Sequence, residues 1–504
     1  MKKLLRKEDS IPNVKCPINQ AIEEEEINMP RPHVIYILSD EHFGEAMSHA
    51  GDPNVNTPNM DALAQDGVSL SRAYANCPLC TPSRGTIFSG RHAHAGPVQF
   101  FFDVYKPTSP STATCLREAG YHTAYVGKWH CGIVRNQLPQ EVRDNPDYYP
   151  ADPNGPNRTP EYHRAGFQDW YGFEINNAPF KGFYYNENDI NPTRMKKYQT
   201  DALTDLAIDY LESYDKEEPL FLTLSVEPPH FPLEAPEEYE RWNPTDLQVR
   251  PNFKDTPEIR KKLATYYAMV ENLDHNIGRL RDTLNQLPGF KDNSLTIYLS
   301  DHGDYMGSHG AIERKEHPHE ESIRIPAIFN WPDQIPKTGG RDELFGLVDL
   351  LPTTLGLLGL DIPNHVQGID FSPALRNESF DAPKSQLIEM CGNPRWSFDL
   401  LDWRGIVTER YKYAFYETGH ELLFDLQIDP YEQNNLAESE TELCDQMRHQ
   451  LLQLLTDTRE PYFAVLIQHG VKPEGPVRDV SLHKRGPLSP AWADLIIPSD
   501  KLNQ

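Results

Sequence analysis

No stretch of this chain approaches the roughly 20 consecutive apolar residues that cross a bilayer, which argues against a membrane-spanning helix. Positive charge is scarce: 48 Lys and Arg stand against 75 Asp and Glu, a formal net charge of −27. Nonspecific binding to nucleic acid or to an anionic membrane is therefore not expected. The same imbalance makes an anionic substrate awkward unless the cationic side chains are gathered in one pocket. Cysteine is sparse, with seven residues at 16, 77, 80, 115, 131, 391 and 444. An odd number at scattered positions argues against a disulfide framework and makes a reducing compartment the default. The basic opening "MKKLLRKEDSIPNVK" is followed by no apolar run, so no signal peptide is read and a cytoplasmic location is expected. Internal repeats and low-complexity tracts are also missing.

What is present fits a folded soluble protein, with 38% hydrophobic and 24% charged residues. At 504 residues, a large core domain plus a smaller one is expected. Residues 1–29, ending in "EEEEINMP", read as a charged N-terminal arm. Across 30–380, β-rich apolar runs alternate with helical stretches, which predicts an α/β domain built on a large, mostly parallel sheet. "TPNMDALAQDG" predicts a helix with Thr57 as N-cap, Pro58 in the first turn and Gly67 as its stop. Residues 132–165 form a Pro-, Asn- and Asp-dense loop of a length that is usually functional or disordered. Residues 381–504 read as a smaller domain. In it, "WRGIVTERYKYAFY" and "HELLFDLQ" give antiparallel strands, "TELCDQMRHQLLQLLTDT" gives a helix, and a proline-rich tail follows.

Four expected strands stop at polar clusters. "VIYILSDE" ends at Asp40 and Glu41, "TAYVGKWH" at Lys128 and His130, "LFLTLSVEPPH" at His230, and "SLTIYLSDHGD" at Asp301, His302 and Asp304. Ligands in open α/β sheets sit beyond the carboxyl ends of the strands. Singly, each residue has a plain reading: an aspartate after a strand is commonly a helix N-cap, and a lone histidine is commonly structural. Together, three carboxylates and a histidine at neighbouring strand ends would repel one another without a cation. Oxygen-rich ligation suits Ca²⁺ or Mg²⁺ better than zinc. Arg84, Lys128, Lys315, His130 and His230 then form the opposite half of a pocket that can neutralise an oxyanion and protonate a leaving group. That combination suits an ester hydrolase acting on a tetrahedral anion.

In "CPLCTPSRG", Pro82 is expected to open a helix, leaving Cys80 just before its positive end, where a nucleophile is favoured. Cys77 and Cys80 also make a C-x-x-C, open to a thioredoxin-like pair or half a zinc site. No second C-x-x-C exists, and Arg84 has no role in either.

The run Cys80-Thr81-Pro82-Ser83-Arg84 resembles the C-x-P-x-R signature of type I sulfatases, of the alkaline phosphatase-like superfamily. The resemblance extends from about Pro32 to Ala437. "PHVIYILSDEHFG" is similar to the family's first metal strand, "GKWH" to its lysine-histidine element, and "EPPHFP" to its next histidine loop. "SDHGDYMGSHG" and "ERKEHPHEESIRIP" are similar to its second metal strand and following lysine. "VDLLPTTLGLLGL" and "LLFDLQIDPYEQNNLA" resemble later landmarks. The resemblance implies an alkaline phosphatase-like fold and sulfatase activity. It implies that Cys80 is oxidised by a formylglycine-generating or other sulfatase-maturing enzyme to formylglycine, an aldehyde. Its hydrate would supply one hydroxyl to attack sulfur and a second to expel sulfate by C–O cleavage.

By the same resemblance, Asp40, Glu41, Asp301 and His302 would hold Ca²⁺, or Mg²⁺, together with residue 80. Arg84 and Lys128 would stabilise the hydrate and the sulfate, His130 would assist elimination, and His230 and Lys315 would face the bridging oxygen. Two positions depart from the common pattern: Glu41 stands where Asp, Gln or Asn is usual, and His302 where Asn is the other frequent choice. Rival readings are a phosphonate or phosphate ester hydrolase of the same superfamily and an unmodified protein that binds sulfated ligands. A zinc cluster built from the four histidines between His302 and His319 is a third. The aromatic, hydrogen-bonding loops "NPDYYPADPNGPNRTPEYHR", "NNAPFKGFYYNENDINPTRMKKYQ" and "CGNPRWSFDLLDWR" favour a sulfated carbohydrate over a simple aryl or alkyl sulfate.

Overall fold

The first apolar run, HVIYILSD, forms strand β1 (His33–Asp40) and is buried on both faces. Val34, Tyr36 and Leu38 enter one core, whereas Ile35 and Ile37 enter another. That two-sided burial is why the run is continuously apolar rather than alternating. The structure is a computed structural model describing residues 31–101, 103–106, 109–132, 158–187, 189, 191–311, 314–391, 402–460 and 462–471. The expected arm 1–29, most of the 132–165 loop, most of "CGNPRWSFDLLDWR" and the proline-rich tail lie outside the described residues.

Twelve further strands belong to the first domain's region of the chain. They are β2 (Val68–Leu70), β3 (Ala73–Tyr74), β4 (His122–Lys128), β5 (Asp169–Phe173), β6 (Phe183–Asn186) and β7 (Thr193–Arg194). The rest are β8 (Leu220–Pro229), β9 (Ser294–Ser300), β10 (Arg324–Ile325), β11 (Ala327–Asn330), β12 (Gly339–Arg341) and β13 (Phe345–Gly346). Ten strands make one sheet in the order β12-β2-β11-β9-β1-β8-β4-β5-β6-β7. Its centre, β9-β1-β8-β4-β5, is parallel throughout. β11, β6 and β7 run antiparallel to the strands beside them.

Helices cover both faces. Cys80–Ser89, Thr112–Glu118 and Leu350–Leu357 pack on one side, and Pro58–Gln65, Gln199–Glu212 and Pro257–Gln286 on the other. Helix Pro58–Gln65 begins after Thr57 as expected, but the Thr57 hydroxyl does not cap it. Asp274, from the long helix, accepts from Asn59 N at 3.0 Å and Met60 N at 2.8 Å instead. A distant carboxylate thus satisfies the free N–H groups and complements the helix dipole. Gly67 is needed for close approach, since a Cβ there would lie 2.2 Å from the Phe329 carbonyl oxygen.

The second sheet is an antiparallel meander of β14 (Ser385–Met390), β15 (Trp403–Thr408), β16 (Tyr411–Tyr416) and β17 (Glu421–Asp425). Helix Thr441–Asp457 lays Met447, Leu451 and Leu455 against Leu387, Ile406, Tyr413 and Leu423. A third, three-stranded sheet, β10-β3-β13, leads into an apolar seam with this meander, in which Tyr74, Cys77 and Leu79 meet Ile388, Met390 and Trp403. Beside that seam lies a buried ion network. His94 Nδ1 is 2.8 Å from Glu389 and 3.2 Å from Glu460, and Arg404 reaches the same two carboxylates at 3.3 and 3.0 Å. Among the described residues no helix is long and apolar enough to cross a membrane.

Candidate active site

The strand order brings the predicted polar clusters side by side. Asp40 ends β1, Lys128 ends β4, His230 follows Pro229 of β8, and Asp301 follows Ser300 of β9. Because β9, β1, β8 and β4 are adjacent and parallel, all four clusters emerge at one edge. The chain turns sharply there: Glu41 and His130 adopt left-handed φ values of 65° and 53°. Such conformations are uncommon for residues with a side chain and concentrate at functional sites.

Helix Cys80–Ser89 points its start at that edge. Leu79 is its N-cap, so Cys80 is the first helical residue, not the one before the helix as Pro82 suggested. Pro82 is accommodated within the first turn, where N–H groups have no intrahelical partner to lose. Every residue of this helix is buried. Cys80 Sγ lies 3.1 Å from His302 Nε2, 3.6 Å from Asp40 Oδ1 and 3.7 Å from Lys315 Nζ. The expected activation of the thiol by the helix end does not hold: burial, then the Asp40 charge, pushes its pKa up despite Lys315 and Lys128. Cys77 faces away into the apolar seam with Cys391, and both cysteines of the C-x-x-C are free.

Arg84, fully buried, donates from Nε to Asp301 Oδ2 at 2.9 Å and from one terminal nitrogen to Asp40 Oδ2 at 3.2 Å. Its other terminal nitrogen donates to the Lys128 carbonyl and to Ser225 Oγ, at 2.9 and 2.8 Å. Lys128 Nζ sits 2.5 Å from Asp40 Oδ2. Burial alone would raise the Asp40 pKa, but Lys128, His230 and Arg84 outweigh it and hold the carboxyl well below the ordinary range. Burial alone would lower the Lys128 pKa, and Asp40 reverses that as well.

Arg84 and Lys128 engage the Oδ2 atoms, which leaves Oδ1 of Asp40 and of Asp301 each 3.7 Å from His302 Nε2. His302 Nδ1 is bound to the Gly303 carbonyl at 2.8 Å, so Nδ1 donates there and Nε2 is the ring atom that faces Cys80, Asp40 and Asp301. One donor atom each from Asp40, Cys80, Asp301 and His302 falls within 4.8 Å of the others. These four residues fit a divalent cation. Glu41, predicted with them, groups with Asp40 and His230 instead, one ligand atom of each within 4.8 Å of the others, and its carboxylate pairs with Lys315 Nζ and lies 3.1 Å from His230 Nε2. Burial raises the Glu41 pKa to about 8 against the pull of Lys315.

Lys315 Nζ is also 3.3 Å from His230 Nε2, and His230 Nδ1 is 2.6 Å from the Phe231 carbonyl. Burial and then Lys315 push the His230 pKa well below its ordinary value; burial, Lys128 and Arg84 do the same to His130. Both imidazoles are therefore neutral in the pocket as described. The four histidines between 302 and 319 do not converge. His309 and His319 pack ring to ring at 4.1 Å, and His317 Nδ1 is 3.1 Å from the Tyr416 hydroxyl. Two other His and carboxylate groups, His94-Glu389-Glu460 and His309-Glu321-Glu432, already contain cations, Arg404 in the first and Lys412 in the second.

Three residues of the pocket were not singled out from sequence: Ser225, Glu227 and, as a partner of Glu41, Asp304. Glu227 Oε1 is 3.9 Å from Lys128 Nζ. Burial raises the Asp304 pKa to about 6, and its charge helps raise that of Glu41. The sequence signal for Glu227 was an acid inside an otherwise apolar strand.

With this geometry in view, the sulfatase family model matches residues 32–360, and the model of the N-sulphoglucosamine sulphohydrolase C-terminal region matches 307–460. The chain belongs to the sulfatase family. It is thus a sulfuric ester hydrolase with an alkaline phosphatase-like fold. Among sulfatases it is 32% identical to an ulvan-active sulfatase of Formosa agariphila over 421 residues, covering 82% of this chain and 78% of that protein. It is 29% identical to an endo-4-O-sulfatase of Bacteroides thetaiotaomicron, covering 86% of this chain and 93% of the relative. A solved Bacteroides thetaiotaomicron structure, from work on the metabolism of multiple glycosaminoglycans, superposes with a TM-score of 0.76 at 27% identity over 87% of this chain and 99% of that one. The phosphonate monoester hydrolase of Agrobacterium radiobacter shares the fold at a TM-score of 0.63 and 22% identity, covering 87% and 96% of the two chains.

Proposed function

We propose that this sulfatase hydrolyses a sulfate ester on a sulfated carbohydrate, with formylglycine made from Cys80 and one Ca²⁺ or Mg²⁺ as its cofactors. The observation that carries the reading is the meeting of Cys80 with two carboxylates and an imidazole on one side and three cations on the other. All of them lie at the ends of four adjacent parallel strands. The raised thiol pKa supports conversion of Cys80, since a protonated, buried thiol is a poor nucleophile. An aldehyde at that position would supply an oxygen nucleophile in its place. Asp40, Asp301, His302 and residue 80 would hold the cation, which would polarise a sulfate oxygen.

The rest follows from this chain's own side chains. Arg84 is fixed by four hydrogen bonds and so fixes Asp40 and Asp301. Lys128 and Lys315 supply mobile positive charge for the sulfate oxygens. With the His230 Nδ1 proton on the Phe231 carbonyl, its Nε2 accepts from Lys315, so the Lys315–His230 pair carries the proton for the leaving oxygen. Neutral His130 is suited to take a proton from residue 80. The carbohydrate reading draws support from relatives named for ulvan, for endo-4-O-sulfate and for N-acetylglucosamine-6-O-sulfate.

The test is a comparison of kcat/KM across sulfated mono- and oligosaccharides, aryl sulfates, and matched phosphate and phosphonate monoesters. It uses protein coexpressed with a formylglycine-generating enzyme, with the mass of the Cys80 peptide measured alongside. A sugar sulfate should give the highest value on protein carrying the aldehyde. Preference for a phosphate or phosphonate ester would overturn the sulfate assignment, and ligand binding with no turnover on unmodified Cys80 would support a binding protein.

A further inference from the structure

Glu227 lies in strand β8, after the apolar run LFLTLSV, and is buried. An ionised carboxylate there costs several kcal/mol unless it is surrounded by donors. Two of the donors come from the exit of β5 and the third from the start of helix Gln199–Glu212. Asn176 N donates to Oε1 at 2.8 Å, Asn177 N to Oε2 at 3.1 Å, and the Gln199 side-chain amide to Oε2 at 2.7 Å. Gln199 returns a bond, its carbonyl accepting from Glu227 N at 2.9 Å. On its other side Oε1 faces Lys128 Nζ at 3.9 Å, and the Glu227 carbonyl accepts from His230 N at 3.0 Å. One residue therefore touches a sulfate-facing lysine, the turn that presents His230, and the loop that runs from Glu174 to the half-exposed Phe180.

The start of that loop is anchored to the end of β4 as well. Glu174 accepts from Gly132 N at 2.8 Å, four residues beyond Lys128. Asn176 Nδ2 stitches the loop to β6 through the Phe183 carbonyl at 2.8 Å. The loop is thus held beside β4 at its start and tied to β6 at its close. Residues 177–181 form its partly exposed rim, apart from buried Pro179.

We infer that Glu227 is a positioning residue that locks the 174–181 loop to Lys128 and His230, making this loop the wall against which the part of the substrate beyond the sulfate rests. The inference depends on the proposed placing of sulfate at Lys128. Glutamine at 227 would be nearly the same size but has only one acceptor oxygen. At least one of the donors at Asn176, Asn177 and Gln199 would then face an N–H₂ group, and Lys128 would lose its second anion.

The test is Glu227→Gln and Glu227→Asp, with Lys128→Met in parallel. Steady-state kinetics on a sulfated oligosaccharide and on a small aryl sulfate are combined with hydrogen exchange of residues 174–181. Glu227→Gln should raise KM for the oligosaccharide about 10–100-fold, the scale of one or two lost hydrogen bonds to a charged group, with a smaller effect on the aryl sulfate. Exchange in the loop should rise, and Glu227→Asp, which keeps the charge, should recover part of the KM loss. Equal losses on both substrates, or unchanged KM with a lower melting temperature, would show a merely structural acid and overturn the inference. If Lys128→Met leaves both substrates unaffected, the sulfate placement fails instead, whatever Glu227→Gln does.

Discussion

Arg84 of helix Cys80–Ser89 belongs to one buried ionic group and His94, just past the end of that helix, to another, and the two are built on opposite terms. In the His94 network two acids meet one arginine and one histidine, and each carboxylate engages both cations. Burial alone would lower the His94 pKa, but Glu389 and Glu460 outweigh it and raise it, while Glu389 is held down at about 2. At the strand ends, by contrast, Arg84 and Lys128 satisfy one oxygen each of Asp40 and Asp301. The other oxygens face the His302 Nε2 atom and a thiol, with Asp301 Oδ1 accepting one backbone bond from His302 N at 2.9 Å. A closed network stabilises the join between two sheets. An open one keeps donor atoms directed at a common point, and that is what a site for an incoming ion and substrate requires.

The sharpest break in this contrast is Cys80→Ala. Turnover should fall by about 10⁴-fold or more, as for loss of a nucleophile, with little change in melting temperature. Activity of the alanine variant close to wild type under metal-replete conditions would remove residue 80 from the chemistry. Next, chelation should lower activity about 10³–10⁴-fold, with Ca²⁺ or Mg²⁺ restoring it, and Asp301→Ala should resemble the chelated protein. Metal analysis is the check here, and stoichiometric zinc with neither calcium nor magnesium would count against the assignment. His230→Ala should cost about 10²–10⁴-fold on a sugar sulfate and much less on an activated aryl sulfate, whose leaving group needs no proton. Equal costs would leave His230 as a sulfate contact only.

The closed network should answer in stability alone. Arg404→Met strands two buried carboxylates and should cost about 3–5 kcal/mol by urea unfolding, with kcat of the folded fraction unchanged. The smallest effect concerns pH. A His94 pKa raised above 6.5 contributes stability that is fully present below pH 6.5 and is lost as pH rises through the folded-state value. Glu389 contributes stability present above pH 4.5 and lost as pH falls toward 2. The groups around the His94 ring are Glu389, Glu460, Arg404, the stacked His92 and the Thr458 carbonyl. A melting-temperature profile of His94→Gln should lack the loss on the alkaline side; a profile identical to wild type would place His94 outside the network's energetics.

Much of the pocket was legible because strand ends are marked by local patterns. A continuous apolar run stopping at Asp40, Lys128, His230 or Asp301 marks both a buried strand and its functional end. What was not legible depends on direction. Asp40 and Glu41 are neighbours in sequence, and only the left-handed turn at Glu41 shows that its carboxylate goes to Lys315 and His230 rather than to Asp301 and His302. Pairings across long separations were equally hidden: Asp274 on the helix at Pro58, and His94 with Glu389 and Arg404. The position of Cys80 before a helix suggested an activated thiol, but the depth of burial that reverses this belongs to the whole fold.

Strand β1 is flanked on both edges by strands made far later, β8 from Leu220 and β9 from Ser294. During synthesis, Cys80 leaves the ribosome long before either neighbour exists, and Lys315 comes later still. The thiol that ends up sealed is therefore left open until those strands are made, so an enzyme carrying out the conversion of Cys80 proposed above would have to act before the sheet closes. The unpaired edges of β1 are exposed over the same interval, when a nascent chain is most prone to wrong pairing. The proposed conversion would thus compete with folding against one clock, and on that proposal expression rate would set how much of the protein emerges converted.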